Sequence, residues 1–244
     1  MKTSGGSDAM KRRAGESAAE AVTDGDVVGL GTGSTAAHAV RRLGDRVDAG
    51  LDVRGVPTSF ASRELAVGAG IPCLDLPEAV GLDGPGIDLA IDGADQVATG
   101  VDGGGAPDTG GALIKGGGAA HAREKLVDAA ADRFLVVADP SKESPRLDRP
   151  VPVEVLPSGR TAVAAAVREA DGEPTLRRAE RKDGPVVTDN GNLVLDCAFG
   201  EIADPVALSA TLAEVPGVVE HGLFVGMTDE IHVGTESGVR IESV

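Results

Sequence analysis

The sequence predicts an α/β protein in which a mostly parallel sheet covered by helices is followed by a smaller α+β domain. Three observations carry that prediction. Short apolar runs alternate with helical periods through the N-terminal part, a glycine-rich segment sits where the first apolar run hands over to a helix, and prolines gather where the texture changes after about residue 147.

Taken in order, residues 11 to 22 place alanines and polar groups at helical spacing, and Thr23-Asp24-Gly25-Asp26 breaks that pattern before the apolar run Val27 to Leu30. Gly31-Thr32-Gly33-Ser34-Thr35 follows, and Ala36 to Leu43 resumes a helical period. Further strands are predicted at Leu51 to Val56, Ile87 to Ile91 and Phe134 to Ala138, with helices at Ser59 to Ala69 and Ala119 to Ala131. Pro145, Pro150, Pro152 and Pro157 then introduce Val151 to Val155. Thr161 to Glu169 and Pro205 to Glu214 read as helices, and Leu176 to Lys182 and Leu193 to Cys197 as strands around the Asp189-Asn190-Gly191-Asn192 turn. Gly222 to Val225 and Glu230 to Val233 are expected to be strands that rejoin the first sheet. The expected division is therefore 1–147 with 223–244 as the large domain and 148–222 as the small one.

Composition narrows the function. A net charge of −16, with four phenylalanines and neither tyrosine nor tryptophan, offers a nucleic acid no basic face and few rings to stack on, so a nucleic-acid partner is not expected. The same excess of acid fits a surface kept hydrated in strong salt, as in halophilic proteins. No apolar run approaches the ~18 residues of a membrane helix and the N-terminus is polar and basic, so a soluble, unprocessed cytoplasmic protein without a membrane partner is expected. Cys73 and Cys197 lie beside apolar residues and read as buried small hydrophobes. The four histidines lack zinc-site spacing, so no metal site is expected. Only six lysines stand against seventeen arginines, so a lysine inside a glycine-rich segment is a candidate for function.

Three motifs carry chemistry. Gly29 to Ala36 places glycines and the hydroxyls of Thr32, Ser34 and Thr35 at a strand-to-helix junction, where free N–H groups and the helix dipole suit a phosphate. Gly31-x-Gly33-x-x-Ala36 also satisfies a loose dinucleotide fingerprint, but the second strand runs into Val56-Pro57-Thr58-Ser59 with no acid to hold a ribose, which favours a phosphosugar. Asp92-Gly93-Ala94-Asp95 follows an apolar strand, where two carboxylates face a crevice or form an ordinary Asp-Gly turn. Lys115-Gly116-Gly117-Gly118 is explained by close backbone approach to a ligand, and Glu124 lies nine residues on. Alone, Glu124 would read as a solvated helix glutamate paired with Lys125 or Arg123.

Together the three motifs, in this order, resemble ribose-5-phosphate isomerases of the A type. The likeness extends through Ala138-Asp-Pro-Ser-Lys142, Thr188-Asp-Asn-Gly-Asn192, Ile202-Ala-Asp-Pro205 and Pro216-Gly-Val-Val219 to Gly222-Leu-Phe224, nearly the whole chain. The resemblance implies a Rossmann-like, mostly parallel sheet domain and a ferredoxin-like α+β domain. It implies that Thr32, Gly33, Ser34 and Thr35 hold the substrate, that Lys142 and Lys11 help bind its phosphate, and that Asp92, Gly93, Ala94, Asp95, Lys115, Gly116, Gly117 and Gly118 line the reacting carbons. Glu124 matches the catalytic proton acceptor of the family. No cofactor is implied, and a homodimer or homotetramer is. One departure is an insertion of about ten residues within Gln96 to Ile114, Gly- and Asp-rich and expected to form a mobile surface loop.

The implied chemistry moves a proton between neighbouring carbons of a five-carbon sugar phosphate. Glu124 would take it from C2 and return it to C1, which calls for a partly desolvated carboxylate. Lys115 and the N–H groups of Gly116 to Gly118 would stabilise the enediolate, while Asp92 and Asp95 suit ring opening and hydroxyl-proton transfer. The rival readings are an amino-sugar phosphate deaminase on a related fold and a non-catalytic sugar-phosphate sensor. The sensor would want a basic helix-turn-helix, for which this chain has neither room nor charge.

Overall fold

The computed structural model describes residues 6–100 and 111–244. In chain order the elements are α1 (Asp8–Ala19), β1 (Val27–Leu30), α2 (Ala36–Asp48), β2 (Arg54–Pro57), α3 (Phe60–Gly68), α4 (Leu76–Val80), β3 (Leu89–Gly93), β4 (Gln96–Ala98), β5 (Leu113–Ile114), α5 (His121–Ala130) and β6 (Phe134–Ala138). A single 3-10 turn, Pro140–Lys142, leads to β7 (Glu143–Ser144), β8 (Val151–Val155), α6 (Arg160–Glu169), β9 (Glu173–Leu176), β10 (Leu193–Ala198), α7 (Pro205–Ala213), β11 (Val218–His221), β12 (Leu223–Phe224), β13 (Glu230–Gly234) and β14 (Val239–Ser243).

Contacts divide the chain into two compact units. The first holds the described residues of Thr3–Ala94, Arg123–Lys142 and Met227–Val244. Its six-stranded sheet has the order β14-β13-β6-β3-β1-β2, parallel throughout except for the β13–β14 hairpin. Helices on both faces explain why β1 and β6 are apolar and buried along their whole length. On α2, Ala36, Ala39, Val40 and Leu43 make the buried stripe, packed with Ala14 and Ala18 of α1 and with Val28, Ile91 and Leu135 of the sheet. Helix starts are fixed locally: Ser7 caps α1 through the Met10 N–H, and Ser59 and Ser62 form a capping box on α3.

The second unit holds the described residues of Asp95–Ala122 with Glu143–Gly226. Here β8-α6-β9-β10-α7-β11 folds into an antiparallel sheet of order β11-β8-β10-β9, the ferredoxin-like arrangement. Its core gathers Val151, Val153 and Val155 with Val163, Val167, Leu195, Cys197 and Leu212. Inside it, Glu154 is fully buried, and its Oε1 accepts from Thr188 Oγ1 (2.9 Å), Asn190 Nδ2 (3.0 Å) and Asn192 Nδ2 (2.8 Å). Those bonds hold the Thr188 to Asn192 turn to β8.

Three sequence expectations need correction. Leu223–Phe224 does not rejoin the first sheet; it pairs with β5 in a small sheet of order β12-β5-β4-β7, because Gly222 is tied to Lys115 and Pro152 by backbone hydrogen bonds. Glu230–Gly234 does rejoin the first sheet, beside β6. The strand expected at 176 to 182 lies earlier, at Glu173–Leu176, since 177–184 is a charged run without alternation and Arg177 turns its side chain inward. The third concerns β3, which continues through Asp92 and Gly93, so Asp92 belongs to the strand rather than to a turn after it. Most of the expected insertion, residues 101–110, lies outside the described residues; its flanks are the paired strands β4 and β5.

Candidate active site

In the parallel sheet the chain leaves β1 toward β2 on one side, while β3 and β6 lie on the other. Such a switch point opens a crevice at the carboxyl ends of the two central strands, and two of the three motifs sit there. Asp92, fully buried, accepts the N–H of Thr32 at 3.0 Å and of Gly93 at 2.6 Å on Oδ1, tying the loop after β1 to the end of β3. Gly31 is obligatory at this junction: a Cβ there would stand 2.2 Å from the Asp92 carboxyl carbon. The Thr32 hydroxyl donates to Ser59 Oγ at 2.7 Å and lies 3.0 Å from Thr58 Oγ1. Gly33 takes φ +116° over open space, Gly33 and Ser34 are exposed, and Thr35 begins α2 without capping it by its side chain. The result is an open, hydroxyl-bearing helix start suited to an anion.

Glu124 stands in the first turn of α5 and is only 4% exposed, which overturns the reading of it as a solvated surface glutamate. Three residues along the same helix, Val127 packs on β1, where a Cβ at Gly29 would be 2.7 Å from Val127 Cγ1. Helices between parallel strands begin at the carboxyl ends of those strands, so Glu124 lies on the sheet-facing side of α5 at the end where β1 and β3 stop. Lys142, buried, closes the 3-10 turn after β6; Asp139 holds that turn, taking the Ser141 N–H at 3.0 Å and its hydroxyl at 2.5 Å. Half-buried Lys11 shares a face of α1 with Gly15, which lies so close to α2 that a Cβ added to it would stand 2.8 Å from the Thr35 carbonyl oxygen.

The remaining expected residues belong to the second unit. Asp95 Oδ2 accepts the Gly117 N–H at 2.6 Å. Lys115 is 2% exposed, its N–H donates to the Gly222 carbonyl at 2.8 Å, and its Nζ lies 5.2 Å from the centre of the Phe224 ring. Gly116 takes φ +103°, with His121 packed where a Cβ would otherwise stand. His121 Nε2 in turn lies 3.3 Å from the Glu220 carbonyl.

Thus Thr32 and Asp92 are joined directly, and so are Asp95 and Gly117, while Glu124, Lys142 and Lys11 share the first unit with the loop after β1. Sequence reasoning missed three kinds of residue. Thr58 and Ser59 had a signal, hydroxyls ending the second strand, but in sequence it counts only as the lack of an acid. Phe224 lies inside a matched motif without an assigned role. Arg177, which donates to the carbonyls of Gly116 and Gly117, had no signal at all in its charged run.

Comparison with known proteins agrees with this geometry. Residues 54–238 match the family described as ribose 5-phosphate isomerase A (phosphoriboisomerase A). A ribose-5-phosphate isomerase A from Halorubrum lacusprofundi is 80% identical, covering 99% of both chains, and one from Haloarcula marismortui is 67% identical, covering 98% of both. The solved ribose 5-phosphate isomerase A of Methanocaldococcus jannaschii superposes with a TM-score of 0.87 at 42% identity, covering 96% of this chain and 98% of that one. A D-ribose-5-phosphate isomerase in complex with phospho-erythronic acid gives the same TM-score at 37% identity, with the same coverage. With its motifs, its two-unit fold and its full-length relatives in accord, this chain belongs to the ribose 5-phosphate isomerase A family.

Proposed function

We propose that this protein interconverts D-ribose 5-phosphate and D-ribulose 5-phosphate through an enediolate, in the non-oxidative branch of the pentose phosphate pathway, with Glu124 as the base. The substrate phosphate is bound by the loop Thr32 to Thr35 with Lys142 and Lys11. Asp92 and Asp95 serve ring opening and move the hydroxyl proton between O1 and O2. Glu124 removes the C2 proton as the C1 carbonyl gains electron density, then delivers the same proton to C1 as the carbonyl re-forms at C2. Lys115 and the N–H groups of Gly116 to Gly118 carry the negative charge of the intermediate.

The observation that supports this reading is the burial of Glu124 in the first turn of α5, three positions before Val127, which packs on β1. A carboxylate withdrawn from water can pass a proton to and from a bound substrate without losing it to solvent. Family membership supports the substrate, since the relatives are named for ribose 5-phosphate. The excess of acid, in a chain whose relatives come from Halorubrum and Halobacterium, supports work in strong salt, and we extend the proposal to a cytoplasmic homodimer or homotetramer, whose oligomeric state light scattering tests.

The decisive experiment follows ribulose 5-phosphate formation by purified protein, across a range of KCl, for the parent and Glu124→Gln. The expected result is a loss of at least ~100-fold in kcat in a variant that keeps its circular dichroism and its affinity for substrate. Near-parental turnover would reject Glu124 as the base. Ammonia release from an amino-sugar phosphate, with no ketopentose from ribose 5-phosphate, would reject the substrate.

A further inference from the structure

We propose that Arg177 is a positioning residue for the isomerisation, holding the glycine run 116 to 118 in the conformation that gives the Gly117 N–H to Asp95 and turns the Gly118 N–H toward the enediolate. The inference rests on the reading of Lys115 to Gly118 as the part of the site that meets the intermediate.

Arg177 follows β9 in a run of charged residues, yet its side chain is only 11% exposed while neighbouring Arg178 is exposed. Its guanidinium is gripped by Asp196 of β10 through two bonds, Nε to Oδ2 at 2.9 Å and Nη2 to Oδ1. The planar fork is thereby fixed in direction. Its other terminal nitrogen donates to the Gly116 carbonyl at 2.8 Å and reaches the Gly117 carbonyl at 3.3 Å.

The consequence follows from peptide geometry. In a trans peptide the C=O and N–H point in opposite directions, so drawing the Gly116 and Gly117 carbonyls to one cation turns the N–H groups of Gly117 and Gly118 the other way. The Gly117 N–H obeys this, donating to Asp95 Oδ2 at 2.6 Å. Gly118 is exposed, and its N–H is turned away from the guanidinium. Successive N–H groups on one side of a curled backbone make an anion-binding concavity, and a cation on the carbonyl side polarises both amides toward stronger donation. Glycines have the least conformational restraint of any residue, and the local turn bond from the Ala119 N–H to the Gly116 carbonyl at 2.9 Å leaves the Gly117 carbonyl to be fixed by Arg177. Donors that stabilise a transition state must be fixed in advance.

The test uses the full-length protein with Arg177→Met, Arg177→Lys and Asp196→Asn, and with Lys115→Met in parallel. For Arg177→Met, kcat is expected to fall roughly 10- to 100-fold, the scale of a misplaced catalytic group, with KM for ribose 5-phosphate within about threefold. Affinity for phospho-erythronic acid, whose carboxylate imitates the charge of the enediolate, should fall with kcat, while inhibition by inorganic phosphate stays unchanged. Arg177→Lys, which reaches one carbonyl but has no fork, should fall in between. A purely structural role predicts a lower melting temperature with normal kcat per folded molecule, and that result would overturn the proposal. If Arg177→Met does not fold, the other two variants decide: parental kcat and parental phospho-erythronic acid affinity in either one overturns it. Lys115→Met separates the two levels of inference. Lost turnover there with parental Arg177→Met rejects only the role of Arg177, whereas parental turnover in Lys115→Met rejects the underlying site and this inference together.

Discussion

The loop after β1 and the glycine run before α5 are both rich in glycine, yet they are held by different physics. Gly31 to Thr35 lies between a buried strand and a helix, and its principal tether, Asp92, is on the neighbouring strand. Gly116 to Gly118 belongs to no regular element; a turn bond from the Ala119 N–H to the Gly116 carbonyl is joined by bonds from Asp95 and Arg177 far along the chain, while Gly222 and Phe224 hold the preceding Lys115. The first loop inherits its geometry from the sheet; the second must be tied in place. A glycine motif therefore announces a close approach but does not reveal what secures it.

Identical substitutions in the two regions would sharpen that contrast. Gly31→Ala puts a Cβ 2.2 Å from the Asp92 carboxyl carbon and 2.6 Å from its Cα, so backbone must move. The expected cost is about 1–3 kcal/mol of stability by urea melts, with most activity lost. At Gly117 the atoms nearest an added Cβ would be those of the Asp95 carboxylate, its oxygens at 2.7 and 2.9 Å, and that side chain can swing aside. Gly117→Ala should therefore melt close to the parent while losing about tenfold in kcat through its broken bond to Asp95. Equal stability losses in the two variants would remove the distinction.

A smaller effect is expected at Lys142, held by the turn that Asp139 organises. Lys142→Ala should raise KM for ribose 5-phosphate about tenfold and lower kcat less, since a phosphate contact acts on ground and transition states alike. An unchanged KM rejects the contact.

The smallest effect lies away from the crevice, on β13. Burial pushes the His232 pKa below its ordinary 6.5 against a weaker pull upward from Glu230, and Ser17 Oγ lies 2.9 Å from its Nδ1. The hydrogen bond from Arg133 holds the Glu230 carboxyl below its usual 4.5. For both groups the unfolded chain takes up a proton at a higher pH than the folded one. Stability is then complete above about pH 6.5, declines as His232 is forced to protonate on the way down, and declines further below 4.5 through Glu230. Urea midpoints at about pH 7.5 and about pH 5.5 should differ in the parent and differ less in His232→Gln. An equal drop in both would assign the acid sensitivity elsewhere.

The legibility of each region follows the same division. β1 and β6 are legible in the sequence to the residue and α6 to within one, because an apolar run or a helical period is a local property. The glycine- and hydroxyl-bearing turn that we propose binds phosphate is legible as a strand-to-helix junction for the same reason, since it lies between two such runs. Position 223 misleads because two apolar residues fit any sheet, and hydrogen bonds from Gly222 to residues far away in sequence settle which one. The matched segment Thr188 to Asn192 has no chemical explanation in sequence, and its reason is the buried Glu154 whose Oε1 it bonds.

By itself the sequence determined the alternation of strands and helices, the strand-to-helix turn that suits a phosphate, and the identity of the acids and lysines available for chemistry. Tertiary structure alone decided that Glu124 is buried, that Asp92 clasps the neighbouring loop, and that Arg177 grips the glycine run. Periodicity and turn chemistry act over a few neighbouring residues and so are written locally. Burial and long-range hydrogen bonds depend on which distant segments the folded chain brings together, and no short window of sequence contains that information.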